Sequence, residues 1–220
     1  MTEIPDPFHV DVARIALAAV NEHGFALGGG HALVAHGLVF RPTEDIDLFT
    51  DKDGGVRAGT VLVREALAET GLTVEHEADN SDLAELFYGM DDAFEELDVS
   101  DGDAIVRLSL GRLPRQREPV LLDVGPVLHI DDLLAPKVCA MATRGEVRDY
   151  VDVAAALGHG YERTRLVAMA RDHDPRLTDE EFAQAMARLD ATPDEPFAFY
   201  GLDADAVAAM RARFDTWPRA

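Results

Sequence analysis

The sequence predicts an α/β fold followed by a helical C-terminal region. Along the first half, apolar spacings typical of helices alternate with those typical of strands, in the order α, β, α, β, α, β. From about residue 129 onward the apolar spacing is helical. We therefore expect an α/β core at residues 1–128 and a helical region at residues 129–220.

Turn residues bound the elements of the first half. Gly24 and Gly71 each follow a helical pattern at the position where helices commonly end. Asp101-Gly102 stands between two apolar runs, which is a hairpin signal. The predicted elements are helices at 8–23, 30–38 and 56–70, and strands at 25–27, 45–49, 72–77, 94–99, 104–110 and 119–125.

The second half contains five helical patterns. Thr178 and Glu181 have the spacing of a capping box at the start of the fourth. Pro136 predicts an early turn or a restart within the first, because proline lacks the backbone N–H of a helix interior. The predicted helices are 131–144, 146–157, 161–171, 178–189 and 203–214, with a linker at 193–196.

Composition narrows the class of protein. The chain has 42 Asp and Glu against 20 Lys and Arg, a formal net charge of −22. Such a charge disfavours non-specific binding to nucleic acid or to an anionic membrane. Cys139 is the single cysteine, which excludes an internal disulfide. No apolar stretch approaches the ~18–20 residues of a membrane helix, and the N-terminus lacks the layout of a signal peptide. We expect a cytoplasmic protein.

A glycine turn and a pair of carboxylates are the main candidate site. Gly28-Gly29-Gly30 follows the predicted strand at 25–27 and opens a helix, which offers backbone N–H groups to phosphate. Asp45 and Asp47 are two residues apart on a predicted strand and so project from the same face. Paired carboxylates repel each other unless a cation lies between them, and oxygen ligands suit Mg²⁺ or Mn²⁺.

Two further residues suggest a larger site. Asp123 lies in the predicted strand at 119–125, among apolar neighbours, so a metal or an arginine is expected to compensate its charge. Lys137 is one of only two lysines among the 20 basic residues. A lysine retained against this bias suggests a need for a compact ammonium group rather than a guanidinium group.

The motifs together resemble a known family. Gly28-Gly29, Asp45-Ile46-Asp47 and Asp123 are similar to the signature of nucleotidyltransferases related to DNA polymerase β. More narrowly, the chain resembles the AbiEii/AbiGii (MenT-like) nucleotidyltransferase toxins of toxin–antitoxin pairs. The segments that carry this resemblance are Gly29–Leu33, Arg41–Phe49, Lys137 with Arg144, and Arg148–Val153. The resemblance covers residues 25–157 and implies a small mixed sheet flanked by helices.

The resemblance also implies roles for individual residues. Asp45 and Asp47 would bind Mg²⁺, with Asp123 as the third carboxylate, which also helps to activate the attacking hydroxyl. Lys137 would contact nucleotide phosphates. Asp149 would pair with Lys137 or orient the acceptor. The remaining nucleotide-binding positions would be Gly28, Gly29, Gly30, Thr43, Asp152 and Arg41, the last of which would contact phosphate or pair with Asp45.

The implied activity is metal-dependent transfer of a nucleoside monophosphate from NTP to a hydroxyl. For a toxin, the acceptor would be RNA, such as a tRNA 3′ end, and a cognate antitoxin would be a partner. The strong acidity favours a second possibility, transfer to a cationic small molecule of the aminoglycoside type. A third possibility is a non-catalytic nucleotide-binding module on the same fold.

Each candidate residue also has a purely structural interpretation. Asp45 and Asp47 could lie on an exposed edge strand, and Lys137 could be an exposed helix residue. Asp149 and Asp152 could complement a helix dipole.

Three other features have no place in the motif. His31 and His36 are expected to be surface or hydrogen-bonded histidines, since their spacing does not place both on one helix face for a zinc pair. Cys139 is expected to be a small buried apolar residue. The stretch Asp79–Asp103 holds ten acidic residues and no Lys or Arg, which predicts a solvated edge and loop.

Overall fold

The computed structural model describes residues 5–76 and 94–219. The chain divides into two compact units, Met1–Ala35 with Thr43–His129, and His36–Pro42 with Ile130–Ala220. The short segment at 36–42 therefore belongs with the C-terminal half. Most of the acidic stretch, and the last residue of the strand predicted at 72–77, lie outside the described residues.

The first unit contains all seven strands of the described sheet. Its helices are α1 (Pro7–Ala19), α2 (Gly29–Ala35) and α3 (Gly55–Glu69), with a 3₁₀ helix at Asn21–His23. Its strands are β1 (Ala26–Leu27), β2 (Asp45–Thr50), β3 (Thr73–His76), β4 (Phe94–Ser100), β5 (Ile105–Arg112), β6 (Val120–Leu122) and β7 (Gly125–Val127).

The sheet is mixed and has the order β3-β4-β5-β2-β1-β7-β6. Strand β2 lies at its centre, antiparallel to β1 and parallel to β5. Strands β1 and β7 are also parallel, while the other neighbours are antiparallel. The predicted fold, a small mixed sheet with flanking helices, is confirmed.

Alternation along β2 gives the sheet one apolar and one polar face. Ile46 and Leu48 are fully buried, whereas Asp45 and Asp47 are partly exposed. Helix α1 supplies apolar residues such as Val12 to the core of this unit. Burial of such aliphatic side chains is the main favourable term in folding, and it determines which face of β2 projects outward.

The prediction of one continuous strand at 119–125 is wrong. Strand β6 ends at Leu122, Asp123 and Val124 form a turn, and β7 begins at Gly125 with φ +128°. Apolar residues on both sides of a tight turn resemble one continuous strand. Glycine tolerates the positive φ that starts the return strand.

The second unit is helical in its described residues. Its helices are α4 (Ile130–Thr143), α5 (Val147–Gly158), α6 (Arg163–His173), α7 (Asp179–Ala191) and α8 (Ala204–Ala212), with a 3₁₀ helix at Glu195–Tyr200. Aromatic rings of Tyr150, Phe182, Phe214 and Trp217 meet edge-on in the core, an arrangement that favours aromatic contacts.

Two local expectations in this unit are corrected and one is confirmed. Pro136 lies inside a continuous α4 rather than at a restart. The predicted linker at 193–196 runs into the 3₁₀ helix, whose Phe197 is fully buried. The capping box is present, since the Thr178 hydroxyl accepts from the Glu181 N–H and the Glu181 carboxylate accepts from the Thr178 N–H.

Within residues 5–76 and 94–219, no helix combines the length and the apolar character needed to cross a bilayer.

Candidate active site

The central strand of the first unit presents the predicted carboxylate pair. Asp45 and Asp47 lie on one face of β2, and Ile46, between them in the sequence, lies on the opposite face. Both carboxylates are partly exposed, and the flanking buried residues Ile46 and Leu48 anchor the strand beneath them. The structure therefore places the two side chains on one accessible face, as their spacing predicts.

The glycine turn packs directly against Asp47 of this pair. Gly29 has φ +58°, and a Cβ built on it would lie 1.7 Å from Oδ2 of Asp47. The Asp47 carboxylate thus occupies the space that any side chain at position 29 would need. Both the positive φ and the close approach restrict this position to glycine.

The backbone of the turn is tied to β2. The Gly28 N–H donates to the Asp47 carbonyl at 2.7 Å, so it cannot donate to a phosphate while this bond is made. The Phe49 ring covers Gly28, where a Cβ would lie 2.4 Å from the ring. Among the three glycines predicted to bind triphosphate, Gly28 therefore has a clear structural task.

A chain of hydrogen bonds joins helix α2 to the residues that precede β2. His31 Nε2 lies 2.6 Å from the Thr43 hydroxyl and 3.1 Å from Nδ1 of His9. His31 is only 6% exposed, so its expected role as a hydrogen-bonded histidine is met and the surface alternative is wrong. Burial lowers the pKa of His9, against the opposing effects of the Asp6 and Asp45 charges and of a hydrogen bond to the Thr43 backbone.

The strand next to β2 places a serine beside the pair. In the parallel register of β2 and β5, Ser109 lies opposite Asp47 and Arg107 lies opposite Asp45. Ser109 is 4% exposed, and Arg107 forms an ion pair with Asp98 at 3.7 Å. Ser109 was not among the site residues predicted from the sequence. Its only signal was the alternation of polar and apolar residues from Val106 to Leu110.

Asp123 lies apart from this arrangement. It occupies the exposed turn between β6 and β7 and lines a cavity of about 680 Å³ with Arg14, Leu27 and His31. Across the part of the chain that the structure describes, no three His, Cys, Asp or Glu side chains are grouped to hold a metal. The predicted role of Asp123 as a third carboxylate stays a prediction.

The donor set of Asp45 and Asp47 suits magnesium. Mg²⁺ is commonly held by one or two carboxylates and completes its octahedron with water and substrate phosphates. Two partly exposed carboxylates on one face match that pattern without a third protein ligand. The residues present therefore fit the metal that the resemblance implies.

The second unit contains a buried cluster of charges around Asp152. Both carboxylate oxygens of Asp152 accept from Arg41, through Nε at 2.7 Å and Nη2 at 2.8 Å. Nζ of Lys137 lies 3.0 Å from Oδ2 of the same carboxylate. Asp152 is fully buried and Arg41 is 4% exposed, so this carboxylate is shared by two cations away from bulk water.

The electrostatics of the cluster favour its charged form. Burial raises the pKa of Asp152, but Lys137 and Arg41 together hold it below its ordinary value. Burial likewise opposes the charge of Arg41, while the hydrogen bonds and charge of Asp152 raise the pKa of that guanidinium. Arg41 therefore pairs with Asp152, not with Asp45 as one alternative had it.

A second ion pair orders the start of α5. Asp149 is fully buried and accepts from Nε and Nη2 of Arg144, both at 2.9 Å. It also accepts from the Glu146 N–H at 3.1 Å, within a capping box. Asp149 thus pairs with Arg144, and the carboxylate partner of Lys137 is Asp152.

Two solved structures have a similar architecture. JHP933 from Helicobacter pylori is similar with a TM-score of 0.61 and 15% identity, over 97% of this chain and 91% of that chain. MenT4, a nucleotidyltransferase toxin from Mycobacterium tuberculosis, is similar with a TM-score of 0.63 and 15% identity, over 94% and 82%. At these identities the likeness is one of fold alone.

The family follows from the sequence. The family described as nucleotidyl transferase AbiEii toxin, type IV toxin–antitoxin system, matches residues 12–216. The chain belongs to this AbiEii family, and it is therefore a nucleotidyltransferase, as the motifs predicted. A search of curated proteins found no matching sequence.

Proposed function

We propose that this toxin transfers a nucleoside monophosphate from NTP to a hydroxyl group of RNA and releases pyrophosphate. In this reaction the acceptor oxygen forms a bond to the α-phosphorus, and the bond from the α-phosphorus to the oxygen that bridges to the β-phosphate breaks. Pyrophosphate leaves with that oxygen, and the proton of the attacking hydroxyl passes to water. The observation that carries the proposal is the pair Asp45 and Asp47 on one partly exposed face of β2, with Asp47 packed against Gly29.

Asp45 and Asp47 would hold Mg²⁺ or Mn²⁺. When bound, the metal supplies neutralisation of charge on the phosphates and a lower pKa for the attacking hydroxyl. The protein contributes the placement of the carboxylates. Ile46 and Leu48 anchor β2, and Gly29 leaves Asp47 room to project. Such preorganised ligands cost no rearrangement when charge develops.

Lys137 is the residue we propose to contact the nucleotide phosphates. Its side chain is 15% exposed. Lys137 and Arg41 share the single carboxylate of Asp152, so the three groups together carry one net positive charge. An ammonium group binds phosphate as a compact point charge. Arg41, with Nε and Nη2 on Asp152 and Nη1 on the Pro42 carbonyl, would hold Asp152 rather than contact substrate.

The remaining cluster has a supporting part in this proposal. Asp149 uses both carboxylate oxygens on Arg144 and caps α5. It would therefore orient Arg144 rather than take part in chemistry. Thr43, Gly29 and Gly30 would complete the nucleotide-binding set around the carboxylate pair.

RNA is the acceptor that the resemblance to these toxins implies, and a cognate antitoxin is the partner that a toxin–antitoxin system implies. With NTP and RNA as substrates, the toxin would act in the cytoplasm. The net charge of −22 favours a second candidate, transfer to a cationic small molecule. The negative charge of the protein would attract a cationic acceptor at long range. It would repel RNA, except close to a local group of basic side chains.

The decisive experiment incubates the protein with α-labelled NTPs, Mg²⁺ and total RNA. Label in RNA is expected for the toxin activity. Label only in a small-molecule acceptor would favour the second candidate. Asp45→Asn and Asp47→Asn should each abolish label transfer.

Asp103→Asn is the matched control, because it changes an exposed carboxylate in the turn between β4 and β5. Its transfer rate should equal that of the wild type. If both β2 variants also retained the wild-type rate, the proposed site would be wrong.

A further inference from the structure

We propose that His31 is a positioning residue that holds the Thr43 hydroxyl beside the carboxylate strand, with His9 fixing His31. This inference rests on the proposed function, because it assigns Thr43 a place in the same site. Thr43 lies two residues before Asp45 in a segment without regular structure. Backbone pairing in a ladder therefore does not fix its side chain.

Hydrogen bonds with two histidines hold Thr43 in place of strand pairing. Its hydroxyl lies 2.6 Å from His31 Nε2, which is a short hydrogen bond. Its backbone also forms a hydrogen bond with His9. Two histidines from two different helices therefore hold Thr43, one at the side chain and one at the main chain.

His31 is itself well placed for this task. It is 6% exposed and sits on α2, the same helix whose Gly29 packs against Asp47. The rings of His9 and His31 meet edge-on, with centroids 5.2 Å apart and planes at 70°. Helix α2 thus contacts residues 43–47 at two places, through His31 at Thr43 and through Gly29 at Asp47.

The consequence is a defined direction for the Thr43 hydroxyl. A hydroxyl that is bonded to a buried imidazole loses its free rotation. Thr43 itself is partly exposed. We therefore expect Thr43 to act on the bound nucleotide in one orientation. Loss of His31 would restore the rotation without removing the hydroxyl.

Double-mutant analysis tests this coupling. His31→Phe keeps a ring and removes the nitrogen, and Thr43→Val keeps the shape and removes the hydroxyl. Each should lower kcat for label transfer about 10-fold, with KM for NTP within about 2-fold, as for one lost hydrogen bond that matters in the transition state. The double variant should also be lowered about 10-fold, not 100-fold, because both changes break one contact.

Rescue and control variants separate positioning from general structure. Thr43→Ser retains the hydroxyl and should lower kcat less than Thr43→Val does, whereas Thr43→Ser with His31→Phe should lower kcat as much as His31→Phe alone. His31→Gln, which keeps a hydrogen-bonding group, should lie between wild type and His31→Phe. It also replaces His31→Phe if that variant does not fold. His173→Phe, at an exposed histidine of α6, is the matched control and should be unchanged.

Multiplicative losses in the double variant, or an unchanged kcat in His31→Phe, would overturn the inference. Asp47→Asn is run in parallel. If Asp47→Asn is inactive while His31→Phe and Thr43→Val act independently, this inference fails and the proposed function stands. If Asp47→Asn retains the wild-type rate, the proposed function itself fails.

Discussion

Replacing Gly29 with alanine should disable the site more than it destabilises the fold. The new Cβ would lie 1.7 Å from Oδ2 and 2.7 Å from Cγ of Asp47. Since non-bonded heavy atoms settle near 3.5 Å, the carboxylate would have to withdraw by roughly 1.5–2 Å. A misplacement of about 1 Å in a catalytic group can cost about 100-fold in rate. We therefore expect Gly29→Ala to lower label transfer at least about 100-fold.

The cost in stability is expected to be smaller. A residue other than glycine at φ +58° costs about 1–2 kcal/mol. For a chain of this size that corresponds to a fall in Tm of about 2–8 °C. Calorimetry or circular dichroism measures this fall, and incorporation of α-labelled NTP measures the activity.

Gly54→Ala is the matched control. Gly54 has φ +67°, and a Cβ there would meet no atom within 4 Å. It should therefore show a similar fall in Tm with full transfer activity. If Gly29→Ala remained as active as Gly54→Ala, the position of the Asp47 carboxylate would not matter for transfer, and its proposed place in the site would be refuted.

Three further predictions concern the helical unit. Asp152→Asn leaves Arg41 and Lys137 without their carboxylate partner, and it should lower the free energy of unfolding, measured in urea, by about 3–5 kcal/mol. The control Asp53→Asn removes an exposed ion pair with Arg112 and should lower that free energy by less than about 1 kcal/mol. Because folding lowers the pKa of Asp152, its carboxylate stabilises the fold at pH values above the unfolded pKa of 3.8, and this stabilisation is lost as the pH falls below that value. The difference in unfolding free energy between wild type and Asp152→Asn should therefore shrink from pH 5 to pH 3. A constant difference would contradict this. Burial and the nearby Asp174 charge raise the pKa of Cys139 to about 11, so its thiol should react with Ellman's reagent at pH 8 far more slowly in the folded than in the urea-unfolded protein, and equal rates would count against it.

Local patterns were sufficient for most of the α/β core. Alternation predicted β2, and the Asp101-Gly102 signal predicted the hairpin of β4 and β5, where the two strands indeed pair antiparallel. These elements are determined by short-range rules, namely side-chain period and turn preference. The same rules failed at residues 119–125, because a two-residue turn between apolar strands leaves no gap in the pattern.

Long-range pairings could not be inferred in the same way. Asp149 and Asp152 were recognised as members of one motif, but their partners are Arg144 in one case and Arg41, 111 positions earlier in the chain, in the other. The segment at 36–42, which carries Arg41, groups with the helical unit although it precedes β2. Charge pairing over such separations depends on packing, which residue spacing does not encode.

The sequence by itself determined the family, the activity class and the common face of Asp45 and Asp47, because motif order and strand period are properties of the chain alone. Only the tertiary structure decided which groups the motif residues contact. It brought His31 onto Thr43 and the Asp47 carboxylate onto Gly29, and it left Asp123 in an exposed turn. The physical reason is that burial and close approach are set by how separate elements pack, and at Gly29 that packing leaves no room for even one methyl group.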